Sequence, residues 1–409
     1  MQHAQTQTHA QPILQHLKPT IELPFITLLL MISFASVNAV LFTPALPAIA
    51  DFFKISDEVA QYTITWFLIG YALSQLVYGP LANRFGRKPA LYVGVGIQIM
   101  SSLLCVLAGE WQQYSLLVFG RFLLALGSGV GLKMTFTLIN ECYDASRASQ
   151  KMSYLILAFA ITPGIGVAVG GMLTQYFGWI SCFYAGAAYG IILLALLTQL
   201  PETQTTRDMN ALKIKSLIHS YASQFKNKQL MAGGLLMGGC SSFVYVFSAV
   251  APFIAMNLLE MTSTEYGFAN LLPPIGIMVG SLYSAKLAKK QVPLRWIMQL
   301  GIAAVCMGAA LMIAAIMLQL PALLSLFLPM IMINFGLAFI MANASVIAMS
   351  KTNDKSHGSA VMNFTNMGIA TVIVLGLSLF PVTMLILPMI YILLCAAMIT
   401  TFKLGFGNR

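Results

Sequence analysis

Gly79-Pro80-Leu81-Ala82-Asn83-Arg84-Phe85-Gly86-Arg87-Lys88-Pro89 sets three cations and two glycines in a short hinge between two long apolar runs. A link this short forces the flanking helices to pack antiparallel. Arg84, Arg87 and Lys88 resist entry into hydrocarbon, which places the hinge on the cytoplasmic side of a membrane. Gly86 permits the tight turn, and Pro89 suits a first helical turn.

The rest of the chain agrees with a membrane setting. Only 8% of the 409 residues are charged, 58% are hydrophobic, and mean hydropathy is +0.82, too little polar surface to cover a soluble globule. Apolar runs of roughly 20 residues, the length that crosses a bilayer, fall near 24–50, 59–82, 89–109, 115–139, 151–174, 180–200, 230–256, 265–285, 296–318, 323–349, 359–380 and 383–402. The expected fold class is an all-α membrane protein of twelve transmembrane helices.

An even number of crossings puts both termini on one side, and nineteen of the 22 Lys and Arg residues lie in segments assigned to that side. Lys54, Arg121 and Lys133 are the exceptions. The expected location is therefore a bacterial-type inner membrane with both termini cytoplasmic. The net charge of +10 belongs to loops beside anionic lipid, and nothing else supports nucleic-acid binding. Ala48-Ile-Ala50 resembles a leader cleavage site. Its apolar run is too long for a leader, and only one Lys precedes it, so the first span is expected to remain. The six cysteines are scattered, and His3, His9 and His16 sit in a polar tail read as solvated, so neither a disulfide framework nor a metal or cofactor site is expected.

The polar stretch 201–229 divides the spans six and six. The expected organisation is a tail at 1–23, a six-helix bundle at 24–200, a cytoplasmic linker at 201–229, a second bundle at 230–402 and a tail at 403–409. Phe42, Pro47, Ile49 and Ala50 recur 205 residues later as Phe247, Pro252, Ile254 and Ala255. Gly280-Ser-Leu-Tyr-Ser-Ala-Lys-Leu-Ala-Lys-Lys290 also echoes the hinge. Paired bundles related by such a repeat are the usual frame of a secondary transporter that rocks about a central site.

Four segments carry a family resemblance: Phe42-Thr-Pro-Ala-Leu-Pro-Ala-Ile-Ala50, the hinge, Gly120-Arg-Phe-Leu-Leu-Ala-Leu-Gly127 and Thr162-Pro-Gly-Ile-Gly-Val-Ala-Val-Gly-Gly171. Through them the chain resembles the major facilitator superfamily over essentially its whole length, and within it the drug:proton antiporters of the bicyclomycin-resistance (Bcr/CflA) branch. The resemblance implies alternating-access transport of a small molecule, most simply multidrug efflux, with protons as the coupling ion. It also implies that Gly79, Asn83, Arg84, Gly86, Arg87 and Lys88 form a gating motif with Glu141, which is free to pair with Arg84 or Arg87. The motif's usual acid, Asn83 here, would meet the N-terminal end of span eleven.

Ionisable groups inside a span mark function by default. Arg121 matches the family's span-four arginine, which faces the central cavity in that reading. The alternative is a structural Arg bonded to helix carbonyls or snorkelling outward. Lys133, twelve residues on, lies about 120° around the helix and is near enough to the end to snorkel. Further candidates for the cavity are Asn38, Tyr71, Gln75, Tyr245, Asn334, Asn343, Asn363 and Asn366, each of which could instead bond a neighbouring helix. Pro163 between small residues, with Gly164 and Gly166, reads as a flex point in span five. Gly127-Ser-Gly-Val-Gly131 lies inside a span with no preceding strand, so helix packing explains it better than a nucleotide loop.

All twelve Asp and Glu residues fall in loops, tails or span ends. Val40 stands where the family has its span-one acid, Leu124 replaces its span-four glutamine, Val167 its second span-five proline, and Asn140-Glu141 its Arg-Asp pair. Two buried cations without a deep anion favour an anionic or strongly polar substrate, such as a polycarboxylate siderophore, with atypical proton coupling. The rival is a neutral apolar substrate held by shape. No Gly-x-Ser-x-Gly, His-Glu-x-x-His or Walker sequence supports an enzyme, and 201–229 is too short for a sensor's signalling domain. A monomer is expected.

Overall fold

The structure, a computed structural model, describes residues 22–204, 207–350, 352 and 354–406. The tail bearing His3, His9 and His16 and the last three residues of the segment 403–409 lie outside the described residues. Eleven helices are long and apolar enough to cross a membrane among the described residues. In chain order, spans one to five are Phe25–Phe53, Asp57–Phe85, Arg87–Glu110, Tyr114–Cys142 and Ser146–Phe177. Spans seven to twelve are Lys228–Leu258, Ser263–Lys289, Leu294–Met317, Leu323–Met349, Lys355–Leu377 and Ile386–Phe406. Span six, Ser181–Leu197, is a shorter apolar helix. The chain is thus an all-α membrane protein with the twelve crossings that its apolar runs define. Ile26, Met100, Leu282 and Leu393 are among the large apolar side chains left exposed around the outside, where hydrocarbon solvates them.

Three local features of the helices matter for the site. Span one is not continuous: Phe25–Val40 ends, Thr43–Ala45 forms a 3-10 turn, and Leu46–Phe53 resumes. Pro44 supplies no N–H to Val40, whose carbonyl accepts from the Thr43 hydroxyl at 2.8 Å instead. Span two keeps Pro80 inside its helix, which leaves the Leu76 carbonyl without its usual backbone donor. The segment 201–229 is not featureless, because Ile214–Phe225 is an amphipathic helix, here the linker helix.

The hinge is a single residue. Gly86 adopts φ 113° between Phe85 and Arg87, a conformation that side-chain-bearing residues avoid. Packing across the two halves runs along spans two and eleven and along spans five and eight. Span five approaches its neighbours closely at its glycines: a methyl on Gly164 would lie 2.9 Å from the Asn270 carbonyl oxygen, and one on Gly166 3.3 Å from Val40. The helix Ala145–Phe177 runs unbroken through Pro163.

Candidate functional site

Arg121 is the largest fully buried side chain, 1% exposed, and sits between spans one, two and four. Its Nη1 donates to the Asn38 carbonyl at 2.8 Å, Nη2 to Ala39 O at 3.3 Å and Nε to Thr63 O at 3.4 Å. The Phe42 and Phe67 rings cover it, with centroids 3.7 and 4.4 Å from the guanidinium carbon. Asn38 and Ala39 belong to the last turn of the helix that stops at Val40, where carbonyls lack intrahelical donors and the macrodipole is negative. A helix end and two aromatic faces therefore do the work of a carboxylate. No Asp or Glu is buried among the described residues.

The Asn38 side chain continues this cluster. Its amide donates to Phe34 O at 2.7 Å, and its Oδ1 accepts from Gln98 Nε2 at 2.9 Å. Gln98, fully buried in span three, also reaches Ser102 Oγ and the Gly186 carbonyl, each at 3.0 Å. Gln98 was not among the sequence candidates, although a single amide in the apolar run of span three was a usable signal.

Toward the hinge, Lys133 donates to one acceptor among the described residues, the Gln75 carbonyl at 3.4 Å. A methyl on Gly79 would lie 2.5 Å from its Nζ, so the first glycine of the motif makes room for this ammonium. Gln75 itself donates to Ser74 Oγ at 3.2 Å. Lys133 borders a polar cavity of about 110 Å³ shared with Asn83, Asp208, Asn210, Ser220, Tyr221 and His357.

Beside that cavity the residues of the hinge motif form one network. Arg87 pairs with Glu141 at 2.7 Å and donates to Asn83 Oδ1 at 2.8 Å, while Arg84 turns to the Met209 sulfur. Glu202, missed in the sequence, accepts from the backbone N–H groups of Arg87 and Lys88 at 2.9 and 3.0 Å and so caps span three. Lys88 closes span six by donating to the Thr198 and Leu200 carbonyls. The N-terminus of span eleven is capped by its own Asp354, which accepts from His357 N at 3.1 Å, while the Asn83 oxygen is engaged by Arg87.

The linker helix joins the halves on this hinge face. The Tyr221 hydroxyl donates at 2.8 Å to the Leu76 carbonyl that Pro80 leaves open, and its ring meets the His357 ring edge-on at 5.2 Å. Burial, helped by the Asp354 charge, pushes the Tyr221 phenol up to about 12, so it stays a donor. On the opposite face Glu58 accepts from Val382 N at 3.2 Å and Asp57 from Asn257 at 3.3 Å. The two bundles are thus bridged at both faces.

The other sequence candidates are dispersed. Tyr71 of span two stacks on Phe67, and Tyr245 is partly buried in span seven. Asn343 bonds Ser284 of span eight at 3.0 Å. Asn334 and Asn366 are buried with Oδ1 atoms that have no partner among the described residues, and Asn363 is partly buried in span eleven.

Two helical bundles bridged at both faces, with buried polar groups inside, define a membrane carrier. The sequence model of the Major Facilitator Superfamily matches residues 28–375, and the chain belongs to that superfamily. It is 26% identical over 333 residues to the multidrug transporter MdfA of Edwardsiella piscicida, covering 80% of this chain and 79% of that protein. It is 22% identical over 253 residues to a bicyclomycin resistance protein homolog of Haemophilus influenzae, covering 61% and 62%. The inward-open xylose transporter XylE of E. coli shares the fold with a TM-score of 0.71 at 13% identity, covering 92% of this chain and 95% of that one.

Proposed function

We propose that the protein exports small molecules of varied structure by alternating access, with its substrates neutral and held mainly by shape and scattered hydrogen bonds. The observation that carries this reading is the enclosure of Arg121: carbonyls and rings already occupy its guanidinium, so it offers little to an anion. Tyr71 and Tyr245, with the acceptors of Asn334 and Asn366 that have no partner among the described residues, are the groups proposed to meet substrate. Similarity to a multidrug transporter and to a bicyclomycin resistance protein homolog supports this reading. The basic face is proposed to be cytoplasmic, with both termini on that side of an inner membrane, and the carrier to work as a monomer without cofactor or catalytic activity. Without a buried carboxylate, protons are proposed to couple weakly. Uptake by reconstituted vesicles of a panel of cationic, neutral and anionic compounds, with and without an imposed pH gradient, tests this. Preference for a cation, or strict dependence on the gradient, would overturn it.

A second reading, transport of an anionic metabolite such as a polycarboxylate, is favoured by Lys133, whose ammonium has a single long acceptor among the described residues, beside a polar cavity. Competition by polycarboxylates that is lost in Lys133→Gln would select it.

A further inference from the structure

On the hinge face of the second bundle, a groove of about 640 Å³ opens among the ends of spans seven, nine, ten and twelve. Its volume is that of a site for a drug-sized ligand. Lys228, the first residue of its helix, and Arg295, the second of its own, both line it. Neither pairs with a carboxylate among the described residues. Both cations stand in a first helical turn, the end where the macrodipole is positive, so each helix carries a charge of the wrong sign there. Span nine also starts after Pro293, which provides no capping side chain. An anion beside these two side chains would offset all three deficits.

The remainder of the groove is apolar. Met231 and Leu235 continue it along span seven, about 4.5 and 10.5 Å deeper than Lys228 at 1.5 Å per residue, and Leu404 and Phe406 face them from span twelve. Leu404 is 83% and Leu235 40% exposed, so this wall is open to the bilayer. A free phosphate would use the cations and leave that wall without a role, whereas a lipid uses both.

We propose that this groove is a binding site for an anionic phospholipid of the adjacent leaflet, with its phosphate at Lys228 and Arg295 and an acyl chain along Met231, Leu235 and Leu404. The charge arrangement is the one by which basic pockets between membrane helices select acidic headgroups. Native mass spectrometry of the purified full-length protein, given phosphatidylglycerol or phosphatidylcholine with identical chains, is the test. Phosphatidylglycerol is expected to be retained at least fivefold more, with most of that excess lost in Lys228→Gln/Arg295→Gln. Lys289→Gln/Lys290→Gln removes the same charge from the end of span eight and should leave retention unchanged. Lys228→Gln alone, at an exposed position that the fold tolerates, should lower it two- to threefold. Equal retention of the two lipids, an unchanged Lys228→Gln, equal loss in the control pair, or displacement by millimolar inorganic phosphate would each overturn the proposal.

Discussion

Arg121 donates to the backbone carbonyl of Asn38 at 2.8 Å, so a fully buried cation in span four terminates the first helix of span one. The pairing depends on that helix ending at Val40, which leaves the carbonyls of its last turn without helical donors. Replacing Arg121 by Leu should orphan the Asn38 and Ala39 carbonyls at about 1–3 kcal/mol each, seen as a lower melting temperature in detergent together with lost transport. Arg121→Lys should recover part of the stability, since one amine cannot reach three carbonyls and lie flat on two rings. Wild-type melting and transport in Arg121→Leu would refute this account.

Glu202 is predicted to stabilise the hinge from a distance of more than a hundred residues in the chain. Glu202→Ala should cost about 0.5–2 kcal/mol, the usual value of a helix cap, read as a fall in melting temperature. Glu202→Gln should fall between the two, because it retains an acceptor and loses the charge facing the start of span three.

Tyr221→Phe removes one hydroxyl that bridges the halves on the hinge face. The loss of about 0.5–1.5 kcal/mol should open that face roughly twofold to tenfold more often. Hydrogen exchange at the linker helix should rise correspondingly, with the melting temperature barely changed. Unchanged exchange would show that the linker helix does not hold the face closed.

Gly79→Ala should force Lys133 out of its present position, since a methyl would lie 2.5 Å from Nζ. Transport should fall in Gly79→Ala, and Lys133→Ala in the same chain should restore part of it by removing the clash. A double variant as slow as the product of the two single effects would mean that the residues act independently.

The cap on span eleven should give a signed pH dependence. Burial raises the Asp354 carboxyl, but hydrogen bonds from the His357 backbone and ring outweigh it and hold the group below its ordinary value. A lowered value means that the stabilisation is complete above the ordinary carboxylate range and is lost as pH falls through the lowered one. The difference in melting temperature between the wild type and Asp354→Asn should therefore shrink as pH falls below about 4. A difference that grows on acidification would reverse the assignment.

The crossings, the halves and the charged face were legible because each follows from a local rule. Hydrocarbon admits only helices with apolar exteriors, and Lys and Arg mark the ends that stay in water. Gly86 was legible for the same reason, since a one-residue hinge needs a backbone that accepts positive φ. Glu141 was legible as a partner for either arginine of the motif, and the structure joins it to Arg87. Gln98, Glu202 and Tyr221 were harder to read, because a polar residue in a span or linker announces only that it needs a partner, without saying which.

By itself, the sequence determined that this chain is a two-bundle membrane protein with a basic hinge and no deep carboxylate, since composition, spacing and charge asymmetry suffice for that. Only the tertiary structure decided what neutralises Arg121, which acid caps span three and what closes the hinge face. Those partners lie 54 to 145 residues apart in the chain, from Arg121–Phe67 to Tyr221–Leu76. Their meeting depends on how each helix is rotated and where prolines free its carbonyls, which only the packing of all the helices together sets.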